Sequence, residues 1–194
     1  GKAGDLKPTV LALELEEVTQ GRFLFPGKLK SVPGATPRWV LADAGHNQIV
    51  LLDDSGKDLK RYGSGKSGFA DGDAAAATFD HPQGLVASQD AIFVADTGNH
   101  TIRKITPNGL VSTFAGLAGA PGSSDGVGSA ARFNSPKAIV VDDAGTVFVG
   151  DTGNYTVRKI TPEGSVGTYA GVAGSNGKED GTGSAARFQG INGL

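Results

Sequence analysis

The stretch Val94-Ala-Asp-Thr-Gly-Asn-His-Thr-Ile-Arg103 decides the fold, because the chain repeats it almost letter for letter. The second copy is Val149-Gly-Asp-Thr-Gly-Asn-Tyr-Thr-Val-Arg158. A weaker copy, Leu41-Ala-Asp-Ala-Gly-His-Asn-Gln-Ile49, lacks the arginine. The aspartates of the three copies set a period of roughly 54 residues, which is typical of folds that use one supersecondary unit several times.

Two further markers recur in phase with this motif. One is a Phe followed by a Pro-containing turn, and the other is an Asp-Gly pair shortly before the Phe of the next repeat. The Phe copies are Phe25-Pro26, Phe79-Asp-His-Pro82 and Phe133-Asn-Ser-Pro136, with a degenerate fourth at Phe188, and the Asp-Gly copies are Asp71-Gly72, Asp125-Gly126 and Asp180-Gly181. Three markers in phase predict three complete repeats and the start of a fourth.

Each repeat contains only strand and turn signals. In the second repeat, short apolar runs at 84–87, 91–95, 101–105 and 110–114 are separated by turn-forming Gly, Pro, Asn and Asp residues. A long Gly-rich passage follows. Four short antiparallel strands and one long connection per repeat predict the blades of an all-β propeller. A parallel β-helix is the competing repeat architecture, but its coils are shorter and do not need three hairpin turns per period.

The combined motif resembles the NHL repeat. The resemblance rests on Phe-x-x-Pro followed by Val94–Arg103 and Val149–Arg158, and it covers roughly residues 23–194. The chain is also similar to bacterial and plastid NHL proteins that carry an upstream thioredoxin-like domain, whose redox chemistry is not expected from these residues. The resemblance implies a closed ring, commonly of six blades, in which the first strand of each repeat lines a central channel.

The repeats divide the chain into an N-terminal segment and a row of blades. Residues 1–22 contain one predicted strand, Val10–Val18, which either completes the outer edge of a terminal blade or links to an upstream domain. We expect blades at about 25–78, 79–132 and 133–187, and a partial blade at 188–194. The ring then closes either within a longer chain or by pairing of two copies.

Composition narrows the possible functions. The 194 residues carry 18 basic and 20 acidic side chains and no Cys, so disulfides, Cys-bound zinc and thiol catalysis are excluded. The balanced charge offers no global attraction to nucleic acid, and no apolar run approaches the roughly 20 residues that span a bilayer.

Because the chain begins with Gly1 and has no Met, we interpret it as a processed or excised piece. We favour an extracellular, periplasmic or organelle-luminal location over the cytoplasm.

The repeated polar residues are expected to serve structure. A short carboxylate before a tight turn accepts backbone hydrogen bonds, and an arginine seven residues later can pair across the hairpin or with the next blade. A residue that occurs once per blade fits a structural role better than a catalytic one. The predicted structural motif consists of Asp43, Asp96, Asp151, Arg103, Arg158, Phe79, Phe133, Pro82 and Pro136.

His81 is the best candidate for a metal ligand, because it lies near the entry of an innermost strand. Its counterparts in the next repeats are Ser135 and Gly190, so no ring of ligands forms at matching positions. We therefore expect no metal and no cofactor. A propeller lyase or hydrolase with a metal at His81 is the enzymatic alternative.

The long loops at 66–78, 117–130 and 172–185 are the predicted binding elements. They are polar and Gly-rich and are expected to project from one face of every blade. The sequence favours a non-catalytic scaffold that binds a protein, a ligand or a second copy of itself, and it predicts no nucleic-acid partner. A structural assembly protein that closes its ring by oligomerisation is a further alternative. The candidate binding residues are Asp71, Asp73, Asp125, Asp180, Arg132 and Arg187.

Overall fold

The computed structural model describes residues 23–34, 36 and 38–194, which form three antiparallel sheets, one per repeat. The predicted strand Val10–Val18 lies outside the described residues. The first sheet contains β1 (Pro26–Val32), β2 (Arg38–Asp43), β3 (Gln48–Asp53) and β4 (Asp58–Tyr62). The second contains β5 (Pro82–Ala87), β6 (Ile92–Asp96), β7 (Thr101–Ile105) and β8 (Val111–Ala115). The third contains β10 (Pro136–Val141), β11 (Val147–Asp151), β12 (Thr156–Ile160) and β13 (Ser165–Gly171), and the short strand β9 (Gly126–Val127) pairs with β13.

Helical structure in the described part of the chain consists of five single 3₁₀ turns. They span Ala44–His46, Thr97–Asn99, Gly128–Ala130, Thr152–Asn154 and Gly183–Ala185. None of the described helices is long and apolar enough to cross a membrane. The predicted all-β propeller fold is confirmed, with the four strands of each sheet hydrogen-bonded in chain order.

The first strands of the three sheets lie side by side, as the inner strands of a propeller do. Strand β5 contacts both β1 and β10. Positions at the same level of the strands meet, since Gly27 approaches its equivalent Gln83, and Gly84 approaches Lys137, the residue before its equivalent Ala138. The inner strands therefore run in the same direction, and every blade points its equivalent turns to the same side.

The hydrophobic core lies between neighbouring sheets. One cluster joins the first two sheets through Val40, Ile49, Phe79, Leu85 and Val94. A second joins the next two through Phe93, Ile102, Phe133, Val149 and Ile160. Because the second sheet is packed between the other two, its strands read as apolar runs rather than as a strict alternation.

The first repeat begins two residues earlier than the Phe spacing indicates. The backbone N–H of Leu24 donates to Asp43, as that of Asp80 donates to Asp96. Phe23 therefore corresponds to Phe79, and Phe25 corresponds to His81. The sequence placed Phe25 in that role because it directly precedes a proline.

The long connections run along the next sheet instead of projecting freely. Gly72 exchanges two backbone hydrogen bonds with Val111 at the outer edge of the second sheet, and β9 pairs in the same way with β13. An uncovered outer strand offers unpaired backbone groups to other chains. Two of the three predicted binding loops, at 66–78 and 117–130, thus cover part of the outer edge of the following blade.

Replacing Gly84 with Ala tests the close approach of the inner strands. A Cβ atom there overlaps the carbonyl oxygen of Lys137, so the two strands must move apart. Overpacking of this kind typically costs about 1–3 kcal/mol of the free energy of unfolding. Gly167→Ala is the matched control, because a Cβ atom at Gly167 has no neighbour within 4 Å. Urea denaturation that shows equal losses for both variants contradicts the packing described.

Candidate functional site

A buried aspartate ends the second strand of each sheet. In the second sheet, Asp96 accepts hydrogen bonds from the backbone N–H of Asp80 at 2.7 Å, Asn99 Nδ2 at 2.8 Å and Arg103 Nη1 at 3.0 Å. Its side chain and that of Arg103 are both 0% exposed. A fully buried charge pair is stable only when additional hydrogen bonds satisfy its remaining polar atoms.

Arg103 fastens the incoming connection to the sheet. Its guanidinium lies over the ring of Phe79 at 5.2 Å, and Nη1 donates to the carbonyl of Thr78 at 2.9 Å. Nη2 donates to the carbonyl of Ala70 at 3.0 Å and to Asp71 Oδ1 at 2.7 Å. One arginine therefore joins the third strand of a blade to both ends of the connection that enters that blade.

The third sheet repeats this cluster. Arg158 Nη1 donates to Asp151 at 3.2 Å and Nη2 to Asp125 at 2.6 Å, while the guanidinium lies 5.3 Å from the centre of the Phe133 ring. Asn154 donates to Asp151 at 2.7 Å, as Asn99 does to Asp96. We call each such Asp–Asn–Arg–Phe cluster a latch.

In the first sheet, the arginine of the latch comes from the fourth strand instead of the third. Val50 on β3 holds the position of Arg103, and the arginine comes from its cross-strand neighbour on β4, Arg61. Arg61 Nη1 lies 3.4 Å from Asp43 and 3.0 Å from Gln48, and the guanidinium lies 5.6 Å from the ring of Phe23. The first motif copy therefore has no arginine, but Arg61 on β4 supplies the guanidinium of the first latch.

Burial controls the ionisation of two latch carboxyls. It raises the pKa of Asp96 and that of Asp151 to about 6, against the hydrogen bonds and arginine charges that favour the ionised form. Neither carboxyl is placed to contact a ligand, because both are fully buried. The structural role of these residues stays a prediction, which the Arg103 variant below tests.

Non-glycine residues with left-handed backbone surround the latches on one side of the molecule. Three end the 3₁₀ turns between second and third strands, and three precede the first residue of an inner strand. Such conformations are uncommon for residues other than Gly, Asn, Asp and His, and for the other residue types they cost roughly 1–2 kcal/mol each. We call this set the turn face; its members are Phe25, Asn47, His81, His100, Ser135 and Tyr155.

The turn face is joined from blade to blade. The backbone N–H of His81 donates to Asn47 Oδ1 at 2.9 Å, and that of Ser135 donates to His100 Nδ1 at 3.0 Å. The His81 ring contacts Asp80 at 2.6 Å and stays 67% exposed, and Phe25 is 78% exposed. Each position has the same backbone but a different side chain. Sequence reasoning identified His81 alone, because positive φ angles leave no mark in the sequence when the residue is not Gly.

The predicted binding residues are spread over three separate connections. Asp71 and Asp125 contact latch arginines, and Asp73 accepts hydrogen bonds from the backbone N–H groups of Ala75 and Ala76, both at 2.9 Å. Arg132 and Arg187 each donate to carbonyls of the preceding 3₁₀ turn. Asp180 is exposed, and within the described residues its carboxylate contacts no donor.

Two shallow concavities are lined by residues outside the turn-face set. One, of about 420 Å³, is between the outer parts of the first two blades and is lined by Lys60, Asp73, Asn108 and Leu110. The other, of about 210 Å³, lies along the inner strands and is lined by Lys28, Gln83, Lys137 and Asn192. Among residues 23–34, 36 and 38–194, no three His, Asp or Glu side chains converge as metal ligands.

Comparison with known proteins finds similarity to the NHL repeat in the second blade. The family model of the NHL repeat matches residues 79–105. The NHL repeat-containing protein 2 of Gallus gallus is 37% identical over 117 residues, which cover 59% of this chain and 16% of the relative. The chain thus spans about one sixth of the length of that relative.

Solved structures share the fold. An auxiliary nutrient binding protein from Bacteroides thetaiotaomicron superposes with a TM-score of 0.64 at 19% identity, over 85% of this chain and 41% of that one. An inactive virginiamycin B lyase from Staphylococcus aureus, solved with quinupristin, superposes with a TM-score of 0.53 at 17% identity, over 74% of this chain and 40% of that one. At these identities the likeness concerns the fold alone.

Replacing Arg103 with Met tests the latch. The variant leaves the buried Asp96 without its cation, a change that typically costs about 3–5 kcal/mol of the free energy of unfolding. Lys104→Met is the matched control, because Lys104 lies next to Arg103 on β7 and only approaches the rings of Phe93 and Phe114 at 5.8 Å. We expect the control to lose less than about 1 kcal/mol in urea denaturation. Equal losses would contradict the latch.

The raised pKa values predict a pH dependence of stability. Between the ordinary pKa of 3.8 and about 6, the folded protein binds more protons at Asp96 and Asp151 than the unfolded chain does. The contribution of these two carboxyls to stability is therefore full below pH 4 and is lost as the pH rises through 6. The Asp96→Asn variant lacks the pH-dependent contribution of Asp96. Its free energy of unfolding should therefore fall less between pH 4.5 and 7 than the free energy of unfolding of the parent protein does. A carboxyl ¹³C titration of Asp96 with a midpoint below 4 would overturn this prediction.

Proposed function

We propose that this chain, an NHL-repeat protein with a β-propeller fold, is a non-catalytic scaffold that binds a peptide segment of a partner protein on its turn face. A scaffold or binding role is what the NHL propeller family supports. The observation that carries the proposal is the set of six non-glycine residues held in left-handed conformation on one side of the blades.

The conformational free energy that left-handed backbone costs at these positions supports a role in recognition. Glycine adopts the same conformation without steric penalty, yet the chain places phenyl, imidazole, hydroxyl, amide and phenol groups there. Strained backbone of this kind collects at functional sites, where the surrounding structure enforces it. Here the latches and the hydrogen bonds between blades provide that enforcement.

The chemistry of the turn face suits a polypeptide partner. Phe25 supplies apolar area, while His81, Ser135 and Tyr155 supply hydrogen-bonding groups with little net charge. Rigid aromatic side chains beside adaptable polar ones are typical of surfaces that recognise proteins. A nucleic acid is not the proposed partner, because that use requires a strong local excess of positive charge.

The enzymatic alternative has less support. It rests on the shared fold of the virginiamycin B lyase and on His81, whose ring contacts Asp80 in the structure. A catalytic zinc normally has three protein ligands, and within the described residues no third carboxylate or imidazole joins this pair. We therefore propose no reaction and no cofactor.

A peptide-selection experiment tests the proposed function. Peptides selected from a displayed library on the whole chain should bind at least tenfold more weakly to Phe25→Asn and His81→Asn. Asn tolerates left-handed backbone, so these variants keep the fold while they remove the side chains. A tenfold loss corresponds to about 1.4 kcal/mol of binding free energy.

The matched controls lie at the opposite ends of the strands. Asp90 and Glu163 belong to the hairpins that link first to second and third to fourth strands, far from the turn face along each strand. Asp90→Asn and Glu163→Gln should leave the affinity of the selected peptides unchanged. Selected peptides that respond to the controls but not to the turn-face variants would place binding on the other side and refute the proposal.

A further inference from the structure

The concavity of about 210 Å³ on the inner strands collects lysine and amide side chains in one place. We propose that it binds an oxyanion, the carboxylate or phosphate group of a small molecule, through Lys28, Gln83, Lys137 and Asn192. We call this concavity, which Gly27 completes, the inner-strand site. It contains no residue of the turn face, so the inference does not rest on the proposed function. Three observations carry it.

The first observation is a β-bulge at the same place in every inner strand. Gln83 is the extra residue between two paired positions of the second sheet, and Lys137 is that residue in the third. In the first sheet the pairing shifts across Gly27 and Lys28. A bulge redirects the side chain of its extra residue and is common beside functional sites. All four residues that the bulges leave unpaired line the inner-strand site.

The start of the next repeat supplies the last lining residue. The carbonyl oxygens of Ile191 and Pro136 accept equivalent threonine hydrogen bonds, both at 2.7 Å. Asn192 and Lys137 directly follow these two residues, so Asn192 holds the position that Lys137 holds one repeat earlier. Equivalent positions of successive repeats therefore meet at the inner-strand site.

The second observation is the sign of the charge. The three inner strands contain three lysines and no Asp or Glu, although the whole chain has 20 acidic and 18 basic residues. Among the residues that the structure describes, neither Lys28 nor Lys137 takes part in an ion pair, and no carboxylate lines the concavity. A concavity lined by a single sign of charge attracts ions of the opposite sign.

The third observation is the chemistry and size of the site. Each lysine ammonium offers three N–H donors and no acceptor, and the amides of Gln83 and Asn192 offer two donors each. Oxyanions accept such charge-assisted hydrogen bonds strongly. A volume of about 210 Å³ is below the roughly 300–1,000 Å³ of sites for drug-sized ligands. One anionic group of a small molecule therefore fits the site better than a large ligand does.

Titration with inorganic phosphate at constant ionic strength tests the inference. We expect saturable shifts of the side-chain NH₂ signals of Gln83 and Asn192 in ¹H–¹⁵N spectra. Lys28→Gln and Lys137→Gln should each weaken phosphate binding about threefold to fivefold, because each removes one charge at a partly exposed site. The double variant should show no saturable shift. Gln already occupies the equivalent bulge of the second sheet, so Lys137→Gln keeps the backbone in place.

Lys30→Gln is the matched control. It removes the same charge from the same strand, two residues from Lys28, but Lys30 does not line the inner-strand site. The affinity of this variant for phosphate should equal that of the parent. A parallel titration with acetate distinguishes the two sources of the oxyanion: saturation by phosphate alone assigns a phosphate ester, and saturation by acetate as well assigns a carboxylate ligand.

Three results would overturn the inference. They are the absence of saturation with both anions, an equal loss of affinity in Lys30→Gln, and saturable binding that persists in the double variant. None of these readouts involves a peptide, so this inference and the proposed function can fail separately.

Discussion

The buried contact between an arginine, an aspartate and a phenyl ring is the constraint on which the rest of the structure depends. Arg103 and Arg158 are fully buried cations, and each contacts a buried carboxylate, backbone carbonyls and a ring face, while its Nε has no hydrogen-bond partner among the described residues. Removing such a cation from water is expensive unless nearly every donor finds an acceptor. The second and third blades each bury one such arginine, and each arginine fixes the course of a long Gly-rich connection that has little core of its own.

The latch also determines the position of residues at the surface. Asp96 holds the 3₁₀ turn through Asn99 and the start of the inner strand of its own blade through the N–H of Asp80. Those two segments carry His100 and His81, whose backbone is left-handed. A buried charge pair thus determines where exposed side chains stand, which is how a repeated fold presents different groups at equivalent places.

Much of the fold was predictable from the sequence, because the markers that define it are local. The strand pattern and the paired motif copies at Val94–Arg103 and Val149–Arg158 follow from residue types in order along the chain. What escaped prediction depends on neighbours across strands. Arg61 replaces the missing arginine from β4 because Val50 and Arg61 are cross-strand partners, and Phe23 rather than Phe25 begins the first repeat because the hydrogen bond of Leu24 sets the phase. The roles of Asp71 and Asp125 likewise depend on arginines more than 30 residues later.

Hydrogen exchange of the connection at 70–79 in the Arg103→Met variant tests the central claim most directly. The account predicts that the amides of Gly72, Ala77 and Thr78, which are hydrogen-bonded in the parent, lose protection under native conditions. The equivalent amide of Arg132, whose connection is held by Arg158, should keep its protection. Unchanged exchange at 70–79, or an equal rise at every amide of the three sheets, would contradict the claim that each arginine holds its own connection.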